Sequence, residues 1–192
     1  MRKVLSALFL LSLSQAAFAY DNWYPPSIMP PAGHRYPCAL VPLPDSLEGI
    51  PEADRQFINH VYSMILKCLQ AKLIMIDTLW QDNRSYQSTF DTYYKDTTAA
   101  RQKIANEPCP KGLEDFRNDV IKAIDQQIVF FRTGTSMREA HKPIRDVMNL
   151  PEGRSASSLL QSAWGRMASR YPGWSAGVKD AIYHHLCALD LF

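Results

Sequence analysis

From Pro51 to the C-terminus, apolar side chains recur every three to four residues, and nowhere do they alternate cleanly. That period belongs to helices with one buried face, so the chain is expected to be all-α. Ile58, Val61, Tyr62, Ile65, Leu69, Ile76, Leu79 and Trp80 form the first stripe. Pro51 suits the first helical position, and Glu52 and Asp54 complement the helix dipole. A polar stretch, Gln81 to Ser85, interrupts the stripe. It resumes in phase at Tyr86, Phe90, Tyr94, Thr97, Arg101 and Ile104. Phase continuity without Gly or Pro favours one long N-terminal helix ending before Pro108-Cys109-Pro110. A hairpin at Asp82–Ser85 is the alternative, because helices of that length are rare.

The second stripe holds Leu113, Phe116, Val120, Ile124, Gln127 and Phe131. Thr133-Gly134 is expected to end its helix. Ser136 to Glu139 reads as a capping box opening a further short helix, kinked or delayed by Pro143. Pro151-Glu-Gly153 breaks the chain again. Ala156, Leu160, Ala163, Trp164, Met167 and Tyr171 then form a stripe closed by Pro172-Gly173, and a last helix starts near Ser175. The expected architecture is a disulfide-bonded bundle over residues 51–192, with no internal repeat.

What precedes the bundle is different material. Arg2 and Lys3, the apolar run Val4 to Leu13, and Ala17-Phe18-Ala19 read as a signal peptide over residues 1–19, cut before Tyr20. The apolar run is too short to span a bilayer. No cysteine follows the cut, so no lipid anchor is expected. The chain is therefore expected in the periplasm or secreted. Residues 20–50 form a proline-rich extended arm: eight of the 13 prolines lie from Tyr20 to Pro51. The arm also carries Trp23, Tyr24 and Tyr36, which either cover the bundle or are offered to a partner.

Charge limits the partners. The chain has 21 basic and 19 acidic residues, and loss of Arg2 and Lys3 leaves it balanced. A grip on nucleic acid, or a polybasic membrane patch, is not expected.

The four cysteines, Cys38, Cys68, Cys109 and Cys187, include no CxxC pair, and in an oxidising compartment they suggest two bridges. On a straight helix Cys68 is far from Cys109, and a hairpin at Asp82–Ser85 does not align them either. Cys38 reaches Cys68 across the arm. The predicted pairing is Cys38–Cys68 and Cys109–Cys187.

The most suggestive chemistry is His184-His185, three and two residues before Cys187. On a helix Val178, Ile182, Leu186 and Leu189 form the apolar face, with His185 amid them and His184 on its flank. Adjacent residues diverge, so the pair is expected to bind no metal, and His185 is expected to pack half-buried. Asp180 and His184 have i, i+4 spacing, a weak signal alone. Glu139 and His141 also diverge, and His60 falls at the edge of the first stripe. No GxSxG, HExxH, P-loop, GxGxxG, CxxCH or ExxH motif occurs. Asn83-Arg-Ser85 is a glycosylation sequon if the source is eukaryotic. No cofactor is assigned. The leading expectation is an exported protein that binds a macromolecular partner as inhibitor, immunity-type protector or adaptor, with Trp23, Tyr24 and Tyr36 at the surface. A carrier of haem or an apolar ligand, and an enzyme with a dispersed site, are the alternatives.

Overall fold

In the computed structural model, residues 49–82 and 85–190 are described. They form six helices: α1 (Glu52–Trp80), α2 (Tyr86–Asn106), α3 (Glu114–Glu139), α4 (Ile144–Met148), α5 (Pro151–Arg170) and α6 (Ala176–Leu189). Among the described residues there is no strand. Residues 1–48, which hold the expected leader and all but the last two residues of the expected arm, lie outside them.

The single long helix is not observed; α1 and α2 are an antiparallel hairpin. The chain leaves helical geometry at Gln81, whose φ of −98° and ψ of 139° are extended. His60 faces Glu107 at 3.6 Å, and the Cys68 thiol lies 3.9 Å from the Asp96 carbonyl. The two stripes share a phase because each must bury a face, which does not require one axis. Folding back buries both faces against each other and against α3. The polar stretch supplies the turn: the Tyr86 hydroxyl donates to the Gln81 carbonyl at 2.5 Å, and Ser88 donates to the Ser85 hydroxyl at 3.0 Å. The Asp82 carboxylate accepts from Arg138, a buried guanidinium on α3.

α1 is the central helix. Phe57, Ile58, Val61, Met64, Ile65, Cys68, Leu69, Lys72 and Met75 are all buried, an arc much wider than one stripe. α2 and α6 both pack along it. α3 packs on α2, and α5 lies along α3.

α3 does not stop at Thr133-Gly134 but continues to Glu139. Gly134 sits inside it for packing: a Cβ there would lie 2.8 Å from Val147 Cγ1 of α4. Ser136 is no cap; its hydroxyl bonds back to the Arg132 carbonyl at 3.3 Å, within the helix. The true end is a Schellman arrangement. His141 takes a left-handed φ of 55°, with Lys142 N–H donating to Met137 O at 2.9 Å and His141 N–H to Arg138 O at 3.0 Å. Pro143 precedes α4, Pro151 opens α5, and the Ser175 hydroxyl accepts from Val178 N–H at 3.3 Å to cap α6.

Ion pairs between helices fix the register. Asp54 on α1 accepts from Arg170 on α5 at 2.8 and 3.1 Å and from the Tyr171 hydroxyl. Asp119 on α3 accepts from Arg166 at 2.6 Å and Ser162 at 2.8 Å on α5. Arg101 on α2 meets Asp125 on α3 with two bonds, at 2.5 and 2.8 Å.

Candidate interaction surface

The expected partner-binding residues Trp23, Tyr24 and Tyr36 lie outside the described residues, as do Cys38 and Asn83. The cysteines on the bundle do not follow the expected pairing. No disulfide joins Cys109 to Cys187. The separation is large: Cys109 lines a cleft with Ala53, Gln56 and Phe57 at the foot of α1, whereas the end of α6 rests at the level of Lys72. Ala188 and Leu189 also line a space with Ile65, so at least eight residues of α1 lie between, ~12 Å, against the ~6 Å that a bridge allows between Cα atoms. Cys68 does not form the expected bridge to Cys38. It is instead a free thiol, 4% exposed, donating to the Met64 carbonyl at 3.3 Å and flanked by Thr97 and Tyr93. Burial pushes this thiol up to about 11. Burial also raises the Cys109 thiol, so neither is an activated nucleophile.

The last helix carries Val178, Ile182, Leu186 and Leu189 buried on one face, as read. His184 is half-buried on the flank, with its ring 5.9 Å from Tyr183. The side chain of His185 lies outside the described residues. Among the described residues, no group of three His, Cys, Asp or Glu side chains converges as a metal site. His60 sits half-buried beside Glu107 and ties the foot of α1 to the end of α2.

Two surface features stand out. The first spans α2 and α3. Phe90 is buried, but Tyr94 (41%) and Val129 (38%) face outwards. The exposed Arg132 guanidinium lies 5.6 Å from the Tyr94 ring and 6.0 Å from that of Phe90. Cation–π contact holds this long side chain in place over the rings. The periodicity places Tyr94 on the buried stripe, and no sequence pattern singles out Val129 or Arg132. The available signal was position: Tyr94 is one residue past Tyr93, which takes the interior place instead. Trp80, also assigned to the stripe, is 57% exposed beside the turn.

The second is an aromatic ridge across α5 and α6. Tyr171 meets Trp174 edge-on at 5.3 Å, Trp174 meets Trp164 at 5.9 Å, and Trp164 meets Tyr183 at 5.7 Å. Tyr171 and Trp174 are buried, Trp164 is half-buried and Tyr183 is half exposed.

The cavities are modest. The space between Cys68, Lys72, Tyr93, Thr97, Gln127 and Leu189 is about 10 Å³, room for one water. The cleft at Cys109 is about 350 Å³ and open. No described helix is long and apolar enough to cross a membrane. No family model matches the chain, and no curated protein and no solved structure proves significantly similar to it.

Proposed function

We propose that the chain is exported and acts by binding a macromolecular partner outside the cytoplasm, through the α2–α3 patch and the aromatic arm. The observation that carries this is the pre-set Arg132 guanidinium above the exposed Tyr94, with Val129 alongside. Tyrosine and arginine are the side chains enriched where binding energy concentrates. A long arginine already held in one place loses less freedom on binding than a free one. The scaffold suits such a surface. Its helices are pinned by ion pairs on buried carboxylates, so the patch is presented on rigid elements rather than loops.

The arm would add Trp23, Tyr24 and Tyr36, large side chains on a backbone that prolines already restrict. The leader at residues 1–19 supports export, and the balanced charge of the mature chain fits a protein partner better than nucleic acid.

The test is capture from the native exported fraction with the mature chain as bait, beside two variants. Tyr94→Ala with Arg132→Ala removes the patch; Trp23→Ala with Tyr24→Ala removes the arm's aromatics. Partner capture should fall at least tenfold in each while the thermal midpoint moves by only a few degrees. A cytoplasmic chain still beginning at Met1, or capture unchanged in both variants, would overturn the reading.

A further inference from the structure

The aromatic ridge has no role in the proposal above, and it lies where the chain enters the bundle. Ile50 is buried at the foot of α1, and Gly49 just before it turns the chain at a left-handed φ of 81°. One turn further on, Asp54 accepts from Tyr171, the first ring of the ridge. The described chain therefore begins five residues before the carboxylate that holds the first ring of the ridge. From Tyr171 through Trp174 and Trp164 to Tyr183 the ring centroids step by 5.3, 5.9 and 5.7 Å. About six residues of polyproline II, at ~3.1 Å each, cover that length. Residues 20–48 provide several times as many, with prolines at 25, 26, 30, 31, 37, 42 and 44.

A buried donor points the same way. Trp174 is 6% exposed, and its indole N–H is buried without an acceptor among the described residues. An unmatched buried donor is costly, so an acceptor is expected. Residues 83–84 follow the far end of α1, ~40 Å away. Residues 191–192 follow the far end of α6, ~20 Å away. Of the points where the described chain breaks off, Gly49 is the one tied to Trp174, through Asp54 and Tyr171. Polyproline II leaves its carbonyls unpaired, and aromatic-lined surfaces are what proline-rich segments dock on.

We infer that the arm docks in cis on this ridge: its proline rings lie against Trp164, Trp174 and Tyr183, and one of its carbonyls accepts from the Trp174 indole. The docked prolines would leave Trp23, Tyr24 and Tyr36 for the surface. The inference does not depend on there being a partner.

Arg35 makes the test direct, being the only Lys or Arg between Tyr20 and Gly49. Limited trypsin digestion of the chain from Tyr20 should cut after Arg35 slowly. Trp164→Ala with Tyr183→Ala should speed that cut about tenfold, equivalent to ~1.4 kcal/mol of docking. Tyr183 is half exposed, so Tyr183→Ala alone should keep the fold and still accelerate cleavage. Trp174→Phe, which keeps a ring but loses the N–H, should do so too. Cleavage of the parent chain as fast as that of a free peptide of residues 20–48 overturns the inference. So does an unchanged rate in Tyr183→Ala with native helix content by circular dichroism. Protection that disappears on dilution, together with a dimer in sedimentation, would show the arm of a second copy on the ridge and overturn the cis arrangement.

Discussion

Asp54 joins α1 to the end of α5, and replacing it with alanine should be among the costliest single changes. The carboxylate is 4% exposed and accepts from Arg170 Nε at 3.1 Å, Arg170 Nη2 at 2.8 Å and the Tyr171 hydroxyl. Its two partners would respond differently. The Arg170 side chain is 31% exposed and keeps its bond to the Lys111 carbonyl at 3.0 Å, so it recovers much of its solvation. Tyr171 is 7% exposed; Arg170 Nε still reaches its oxygen at 3.0 Å, but its proton has no acceptor left. An unmatched buried donor costs ~1–3 kcal/mol, and the lost charge-assisted bonds ~1.5–3 before the discount for Arg170. The predicted loss is about 3 kcal/mol, on the order of 10 °C in midpoint for a domain of this size. Thermal and urea denaturation followed by far-UV circular dichroism would measure it. A cycle with Arg170→Met isolates the pair and should give a coupling of ~1–2 kcal/mol. A loss below ~1 kcal/mol for Asp54→Ala, or strict additivity in the cycle, would refute the idea that this cluster locks α1 to α5.

Three further predictions rest on separate features. The Cys68 thiol is raised from 9.0 to about 11, so the folded chain holds a proton that the unfolded chain gives up. Its contribution is complete below pH 9.0 and is lost as pH rises towards 11. The expected slope is up to ~1.4 kcal/mol per pH unit. Burial moves the Tyr93 hydroxyl the same way, at higher pH. Urea denaturation across the window should show Cys68→Ala with a shallower alkaline slope, and alkylation of the native chain should mark Cys109 before Cys68. His141→Gly should stabilise the fold by ~1 kcal/mol, because a left-handed φ of 55° is strained for histidine and free for glycine. A fall in its thermal midpoint would contradict that. Gly134→Ala should destabilise by ~1–2 kcal/mol, although alanine is the better helix former, because the new methyl would lie 2.8 Å from Val147. Val147→Ala should relieve that penalty, and a Gly134→Ala chain as stable as its parent would show that α4 shifts freely.

The parts of the fold legible in the sequence are those set by short-range periodicity. Leu113, Phe116, Val120, Ile124, Gln127 and Phe131 are all buried as their spacing implies, as are Val178, Ile182, Leu186 and Leu189. The misreadings share one cause: a local signal met a tertiary partner. Gly134 looks like a terminator until Val147 is seen against it, and Ser136 looks like a cap until its hydroxyl is found bonded to Arg132. The α1–α2 turn carries neither Gly nor Pro. Its polar run is matched by Arg138, 56 positions further along the chain, and no window of neighbouring residues contains that fact. The surface was the least legible. Tyr93 and Tyr94 are adjacent, and only packing decides which of them faces the core.

Lys72 shows the same limit at its sharpest, and it bears on how the last helix is held. Lys72 is outside the first stripe, where a lysine is expected to be a solvated charge. It is 3% exposed, and its ammonium group donates to the carbonyls of Ala188 at 2.5 Å and Asp190 at 2.7 Å, at the end of α6. Gln127 of α3 donates to the Leu189 carbonyl from another direction. The carbonyls at a helix C-terminus have no partners within the helix and carry the negative end of its dipole. A cation and an amide from two other helices satisfy them here, inside the core. α6 is the shortest of the long helices and reaches the bundle through α1 and α5. Its end is therefore fixed by polar groups as well as by apolar burial. Because the α5–α6 ridge shares that helix, the rigidity of the ridge depends on a lysine 116 positions away from the carbonyl it holds.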